Sequence, residues 1–161
     1  MSAGVVLLSQ TISASGTLAL GTPAQVNNQG VPAGVGLDVS RIELMLAQCL
    51  TGTVTGNGSL KMYFQHSVDG GITWCDFIAF NTISGSSHLN QMAQYVRPAV
   101  DNAGGSPPIN TAGVFDITDA TLAAGSVING PIGDNWRLKW VVASSFSATV
   151  AVTARQIQRT R

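Results

Sequence analysis

Ser67-Val68-Asp69-Gly70-Gly71-Ile72-Thr73-Trp74 satisfies the pattern S-x-D-x-G-x-T-W, the Asp-box, at every specified position. That spacing dictates a hairpin. An aspartate carboxylate accepts backbone N–H groups across a tight turn, and consecutive glycines supply the positive φ the turn requires. The expected structural turn is made by Ser67, Asp69, Gly70, Gly71, Thr73 and Trp74. Thr73 and Trp74 start the return strand, with the indole packed over the turn. Asp69 is expected to hold the fold rather than to catalyse.

Period-two alternation extends the hairpin on both sides. Leu60, Met62 and Phe64 alternate with Lys61, Tyr63 and Gln65 before the turn, and an apolar, aromatic stretch from Ile72 to Phe80 follows it. A second hairpin closes the chain. Trp136, Leu138, Trp140 and Val142 alternate with Arg137, Lys139 and Val141; Ser144-Ser145 forms the bend, and Phe146, Ala148, Val150 and Val152 return. One apolar and one polar face is the signature of an antiparallel sheet buried on one side. Ile42, Leu44 and Leu46 alternate at period two with Arg41, Glu43 and Met45 as another strand, and Thr51 to Gly58 reads as a glycine-rich connector. Val5 to Thr11, Gly16 to Leu20 and Val114 to Ile117 are further strand candidates, while Ser87 to Val100 fits either a strand or a short helix. These elements predict one all-β domain, a single antiparallel β-sandwich, jelly-roll-like, with eight or so strands.

At 161 residues the chain is long enough to bury a substantial core. Only 10% of it is charged, and eight basic residues cancel eight acidic ones. Soluble domains usually carry about a quarter charged residues. So neutral a surface offers no field to recruit nucleic acid or a membrane, and suits a subunit covered by copies or partners. No stretch has the run of about 18 apolar residues that a membrane helix needs, and Val5-Val6-Leu7-Leu8 is too short for a signal peptide.

The charges are also unevenly placed. Residues 1–37 carry none, whereas no acid follows Asp134. The chain therefore divides into an uncharged amino-terminal strand and arm region, 1–37, and a sandwich body, 38–161, ending in a basic tail. Residues 21–36 read either as an ordered loop over the sheet or as an arm pairing with a neighbouring subunit. Arg155, Arg159 and Arg161 of the tail are the expected partner contacts.

Chemistry is sparse. His66 and His88 are the only histidines, and neither sits in an H-E-x-x-H or H-x-H pattern. Cys49 and Cys75 are too few for a zinc site and are expected as reduced, buried thiols. Asp69 lacks the acidic ladder of a calcium loop. No G-x-S-x-G elbow or phosphate-binding loop occurs. The expectation is a non-enzyme with no cofactor and no metal. Trp74, Trp136 and Trp140 have the chemistry of a sugar platform, but their alternation assigns them to packing.

Asp-boxes occur in sialidases, other glycan-handling proteins and phage structural proteins. A sialidase propeller needs several blades, and a single Asp-box cannot supply them. Ser67-Val-Asp-Gly-Gly-Ile-Thr-Trp-Cys-Asp76, the phenylalanines from Phe77 to Phe80, and Trp136-Arg-Leu-Lys-Trp140 together resemble a type of tailed-phage virion protein. The resemblance covers residues 60–80 and 134–156. It implies a capsid decoration (cement) subunit on the virion, assembled in the host bacterial cytoplasm, whose partners are the major capsid protein and its own copies. It also admits a neck or tail structural protein. A carbohydrate-binding module for host-surface glycan is the reading of a different class.

Overall fold

The computed structural model describes residues 5–21, 44–85, 89–96, 117–128, 133 and 135–157. Within them the strands are β1 (Val5–Ile12), β2 (Gly16–Gly21), β3 (Leu44–Gly56), β4 (Ser59–Ser67), β5 (Cys75–Ala79), β6 (Ile83–Ser84), β7 (Gln91–Val96), β8 (Asn135–Ala143) and β9 (Phe146–Ile157). They form two antiparallel sheets, of order β1-β9-β3-β7 and β2-β8-β4-β5, with the short β6 paired to β4.

The pairing is nested. β1 joins β9, β2 joins β8, β3 joins β7 and β4 joins β5, so the chain runs as one long ribbon doubled back on itself. Rolling that ribbon brings β9 beside β3 and β8 beside β4, which completes the two sheets. This is the jelly roll, an eight-strand route to two packed sheets. Its apex is the β4–β5 turn, and the Asp-box occupies that turn.

Between the sheets lies an aromatic and aliphatic core. Phe77 is its hub, with ring centroids 5.3 Å from Trp136, 5.6 Å from Tyr95 and 6.0 Å from Phe64. Met45, Ala47, Cys49, Val150, Val152 and Ala154 face it from the β1-β9-β3-β7 sheet. Leu60, Met62, Phe64, Leu138 and Trp140 face it from the other. The alternation of the second hairpin and of β4 thus points inward as the sequence indicates.

The structure departs from the sequence reading at β3. Met45, Ala47 and Cys49 are buried there, while Leu44 and Leu46 are only half-buried on the outer face. Register slips between Thr51 and Val54, and such a bulge shifts the side-chain parity of everything upstream by one. Thr51 to Gly56 is part of the same strand rather than a connector, leaving Asn57-Gly58 as the turn into β4. Gln91 to Val96 is strand, not helix, because its backbone pairs with Leu44–Cys49. Residues 1–37 contribute β1 and β2, one to each sheet, so their strands belong to the sandwich body. The arm candidate at 22–36, the Val114–Phe115 strand candidate and His88 lie outside the described residues.

The segment from residue 117 to 128 protects an edge. Asp76 N–H donates to Thr118 O, Ala79 N–H to Ser126 O and Ile128 N–H to Phe77 O, while Ile78 bridges to Val127. The free side of β5 is thereby occupied, which removes a template for edge pairing.

Candidate functional site

At the Asp-box tip a serine and an aspartate organise the backbone between them. Ser67 Oγ donates to Asp69 Oδ1 at 2.6 Å and accepts the N–H of Gly71 at 2.9 Å. Asp69 Oδ1 accepts the N–H groups of Ile72 at 3.1 Å and Thr73 at 2.9 Å, and the Thr73 N–H also reaches Oδ2. Gly70 and Gly71 have φ of 74° and 93°, the left-handed conformations that glycine adopts without a Cβ penalty. The Trp74 indole folds back and its N–H donates to Gly71 O at 2.9 Å. The return strand itself begins at Cys75, one residue after the indole. The polar side-chain groups of Ser67, Asp69 and Trp74 are committed to the turn. The hydrogen bond from Ser67, with those from Thr73, holds the Asp69 carboxyl well below the usual carboxylate range.

A polar network on the outer face of the β2-β8-β4-β5 sheet extends from this tip. Arg137 lies over the Trp74 ring, 4.2 Å from its centroid, and its Nε donates to Gln65 Oε1. Asp119 accepts from Arg137 at 3.0 Å, Lys139 at 2.7 Å and the Gln65 amide at 2.8 Å. Partial burial pushes Asp119 upward, but the Lys139 and Gln65 hydrogen bonds and the two cations outweigh it, and its net shift is downward.

Asp76 is buried beside this network. Its carboxylate accepts the N–H groups of Ala120, Thr121 and Leu122 as well as the Gln65 amide. Ala120 adopts φ 61° to let these three amides converge. The sequence shows Asp76 only as the lone charge of an apolar strand. A lone acid in a strand next to a buried face is the signal that could have marked it as an anchor.

His66 accepts the Gly133 N–H on Nδ1 at 3.1 Å, and burial lowers its pKa. Gly133 is pressed against the Asp-box: a Cβ there would run into the Ser67 carbonyl. Its own carbonyl accepts the Trp136 indole N–H at 2.9 Å.

Among the described residues His66, Asp69, Asp76 and Asp119 each engage the fold through the hydrogen bonds given above. Among the described residues no group of three or more His, Cys, Asp or Glu is placed to hold a metal ion. Both cysteines are free thiols, Cys49 buried in the core and Cys75 half-buried. Burial pushes the Cys49 thiol up to about 12 and raises Cys75 as well. Trp136 and Trp140 are buried, and Trp74 is covered by Arg137, so the three indoles do not make a sugar platform.

A groove of about 270 Å³ runs between β5 and β7, lined by Phe80, Asn81, Leu89, Asn90, Gln91 and Met92 among others. Two of its side-chain amides are engaged in holding its walls. Gln91 exchanges two hydrogen bonds with the Asn81 backbone, and Asn90 Oδ1 accepts the Thr51 N–H. The groove is a seam joining the two sheets.

Of the three expected partner contacts, Arg159 and Arg161 lie outside the described residues. Arg155 is in β9, opposite Leu46, so it belongs to the middle of a sheet and not to a solvated tail. Its Nε is buried with no hydrogen-bond partner.

No protein-family model, no curated protein and no solved structure matches this chain. Fold and site define a class: a jelly-roll β-sandwich with one Asp-box closing its innermost hairpin.

Proposed function

We propose that this chain is a structural virion protein of a tailed phage, a decoration subunit that binds the outer surface of the capsid lattice and adjoins its own copies. Jelly rolls serve viral capsids, lectins and cupins alike, so the fold alone does not choose among them. The observation that carries the reading is the outer face of the β1-β9-β3-β7 sheet. Among the described residues Leu50, Met92 and Val96 are exposed on it, Leu44 and Leu46 are half-buried, Gln48, Gln94 and Thr153 stand between them, and Arg155 is the charged group. Exposed apolar side chains on a face of low charge suit a surface that meets a partner. The resemblance of residues 60–80 and 134–156 to phage virion proteins supports the choice of partner, the major capsid protein. Contacts across neighbouring capsomers raise the free energy needed to separate them, because a bound subunit stabilises only the assembled shell.

The test is co-sedimentation of the purified protein with empty capsids, followed by thermal disruption of the loaded shells. The expected result is saturable binding and a higher disruption temperature. A protein that stays in the supernatant overturns the decoration reading. Electron microscopy of intact particles then separates it from a neck or tail role by where the density lies.

A further inference from the structure

We propose that Asn57-Gly58 is a deamidation site held dormant by the fold: the Gly58 amide that attacks the Asn57 side chain is docked against the Ser144-Ser145 turn, and Asn57 converts when the two turns separate. The inference goes beyond the reading above and does not depend on what the subunit binds.

Asparagine followed by glycine is prone to this change because glycine has no side chain to shield its backbone nitrogen or restrict its approach. A base takes the proton of the Gly58 N–H and the nitrogen attacks Asn57 Cγ. The new N–Cγ bond closes a succinimide ring, and the side-chain nitrogen takes up a proton and leaves as ammonia. Water then opens the ring at either carbonyl, leaving aspartate or isoaspartate at position 57. Water and a base are the only other reactants.

The fold presents one half of this chemistry and locks the other. Asn57 is exposed in the turn into β4, whereas Gly58 beside it is buried. The Gly58 N–H donates to Ser145 O at 2.9 Å, and its carbonyl accepts the Gly85 N–H at 3.4 Å. Neither turn has room to shift against the other: a Cβ on Gly58 would run into Ala143 O, and one on Gly56 into Ser145 O. Phe146, buried in the core, stands directly behind the contact, its Cβ 3.1 Å from where a Gly58 Cβ would lie. Ser144 at φ 62° turns the chain so that the Ser145 carbonyl meets this amide.

A buried N–H that is donating resists deprotonation, and a peptide pinned on both sides cannot swing its nitrogen onto Cγ. Attack therefore waits for local opening. The native rate is the rate of the open chain multiplied by the fraction open. Once the ring has opened, position 57 carries a new carboxylate and, in isoaspartate, an extra backbone methylene. A turn with no spare room beside Ser145 O does not close over them, so an opening that was reversible becomes permanent.

The experiment is tryptic peptide mapping by mass spectrometry after incubation in warm, mildly alkaline buffer. The peptide from Ile42 to Lys61 contains Asn57 as its one asparagine, which separates it from the second Asn-Gly pair at 129–130. The full chain is incubated folded and in guanidinium chloride, with Asn57→Gln as the blank. Phe146→Ala loosens the dock; circular dichroism checks that it is folded, and Phe146→Leu replaces it if it is not. The unfolded chain is expected to convert, the folded chain at least about tenfold more slowly, and the folded Phe146 variant faster than folded wild type. Converted chain, once refolded, is expected to melt below the unconverted protein. Equal rates in folded and unfolded wild type overturn the dormancy, and an unfolded chain that does not convert overturns the site. A Phe146 variant no faster than wild type overturns the role of the dock, and an unchanged melting point overturns the permanent opening.

Discussion

The Arg137 guanidinium stacks on the Trp74 indole at 4.2 Å while its Nε donates to Gln65. This one side chain ties the Asp-box tip to the sheet behind it. Trp74 is also held at its edge by the N–H bond to Gly71 O, so the indole links turn and sheet. Stability of the tip and of the outer polar network should therefore be coupled.

Acid should expose the part Asp69 plays. Its folded-state pKa is depressed below the ordinary 3.8, so its stabilisation is present above that value and is lost as pH falls through the folded pKa. Thermal melts from neutral pH down to about pH 2 are expected to show wild-type stability falling across this acid range. Asp69→Asn begins lower at neutral pH and changes less on acidification. Asp119 titrates in the same direction in both proteins, so the difference between the curves isolates Asp69.

The two turn glycines should respond differently. A Cβ on Gly70 meets nothing within 4 Å, whereas one on Gly71 comes 3.3 Å from the Trp74 ring. Gly70→Asn is expected to be nearly neutral, because asparagine tolerates positive φ, and Gly70→Val to cost more than the roughly 1–2 kcal/mol of a left-handed alanine. Gly71→Ala adds displacement of the indole to the backbone strain. Urea denaturation of the three variants checks the order.

Removing the Asp76 carboxylate strands four donors at once. Asp76→Ala leaves the amides of Ala120, Thr121 and Leu122 and the Gln65 side chain without their acceptor. The expected loss is at least about 3 kcal/mol, with Asp76→Asn milder. Hydrogen exchange supplies the local readout. The amides of Ala79, Gly125 and Ile128 should lose protection as the 117–128 segment leaves β5.

Thiol chemistry should separate the cysteines. Cys49 is expected to resist alkylation in the native state and react only on unfolding, because burial raises its pKa to about 12. Cys75, half-buried and with its pKa also raised, should react slowly in the native protein. Intact mass after iodoacetamide treatment reads both.

The sequence by itself determined what is local. The Asp-box spacing places each turn hydrogen bond within a few residues of its partner, and the alternation of β4, β8 and β9 reports a face that residue type alone reveals. Tertiary structure decided what depends on register and on distant partners. Both faces of β3 are apolar, so composition could not choose between Leu44 and Met45; the bulge after Thr51 did. Asp76 gained its acceptor duties from residues 120–122, more than forty positions away, which no spacing rule connects. Arg155 looked like the start of a tail until β9 paired it with Leu46. Local geometry is written in short-range spacing, whereas burial parity and remote hydrogen bonds follow from how the doubled ribbon rolls.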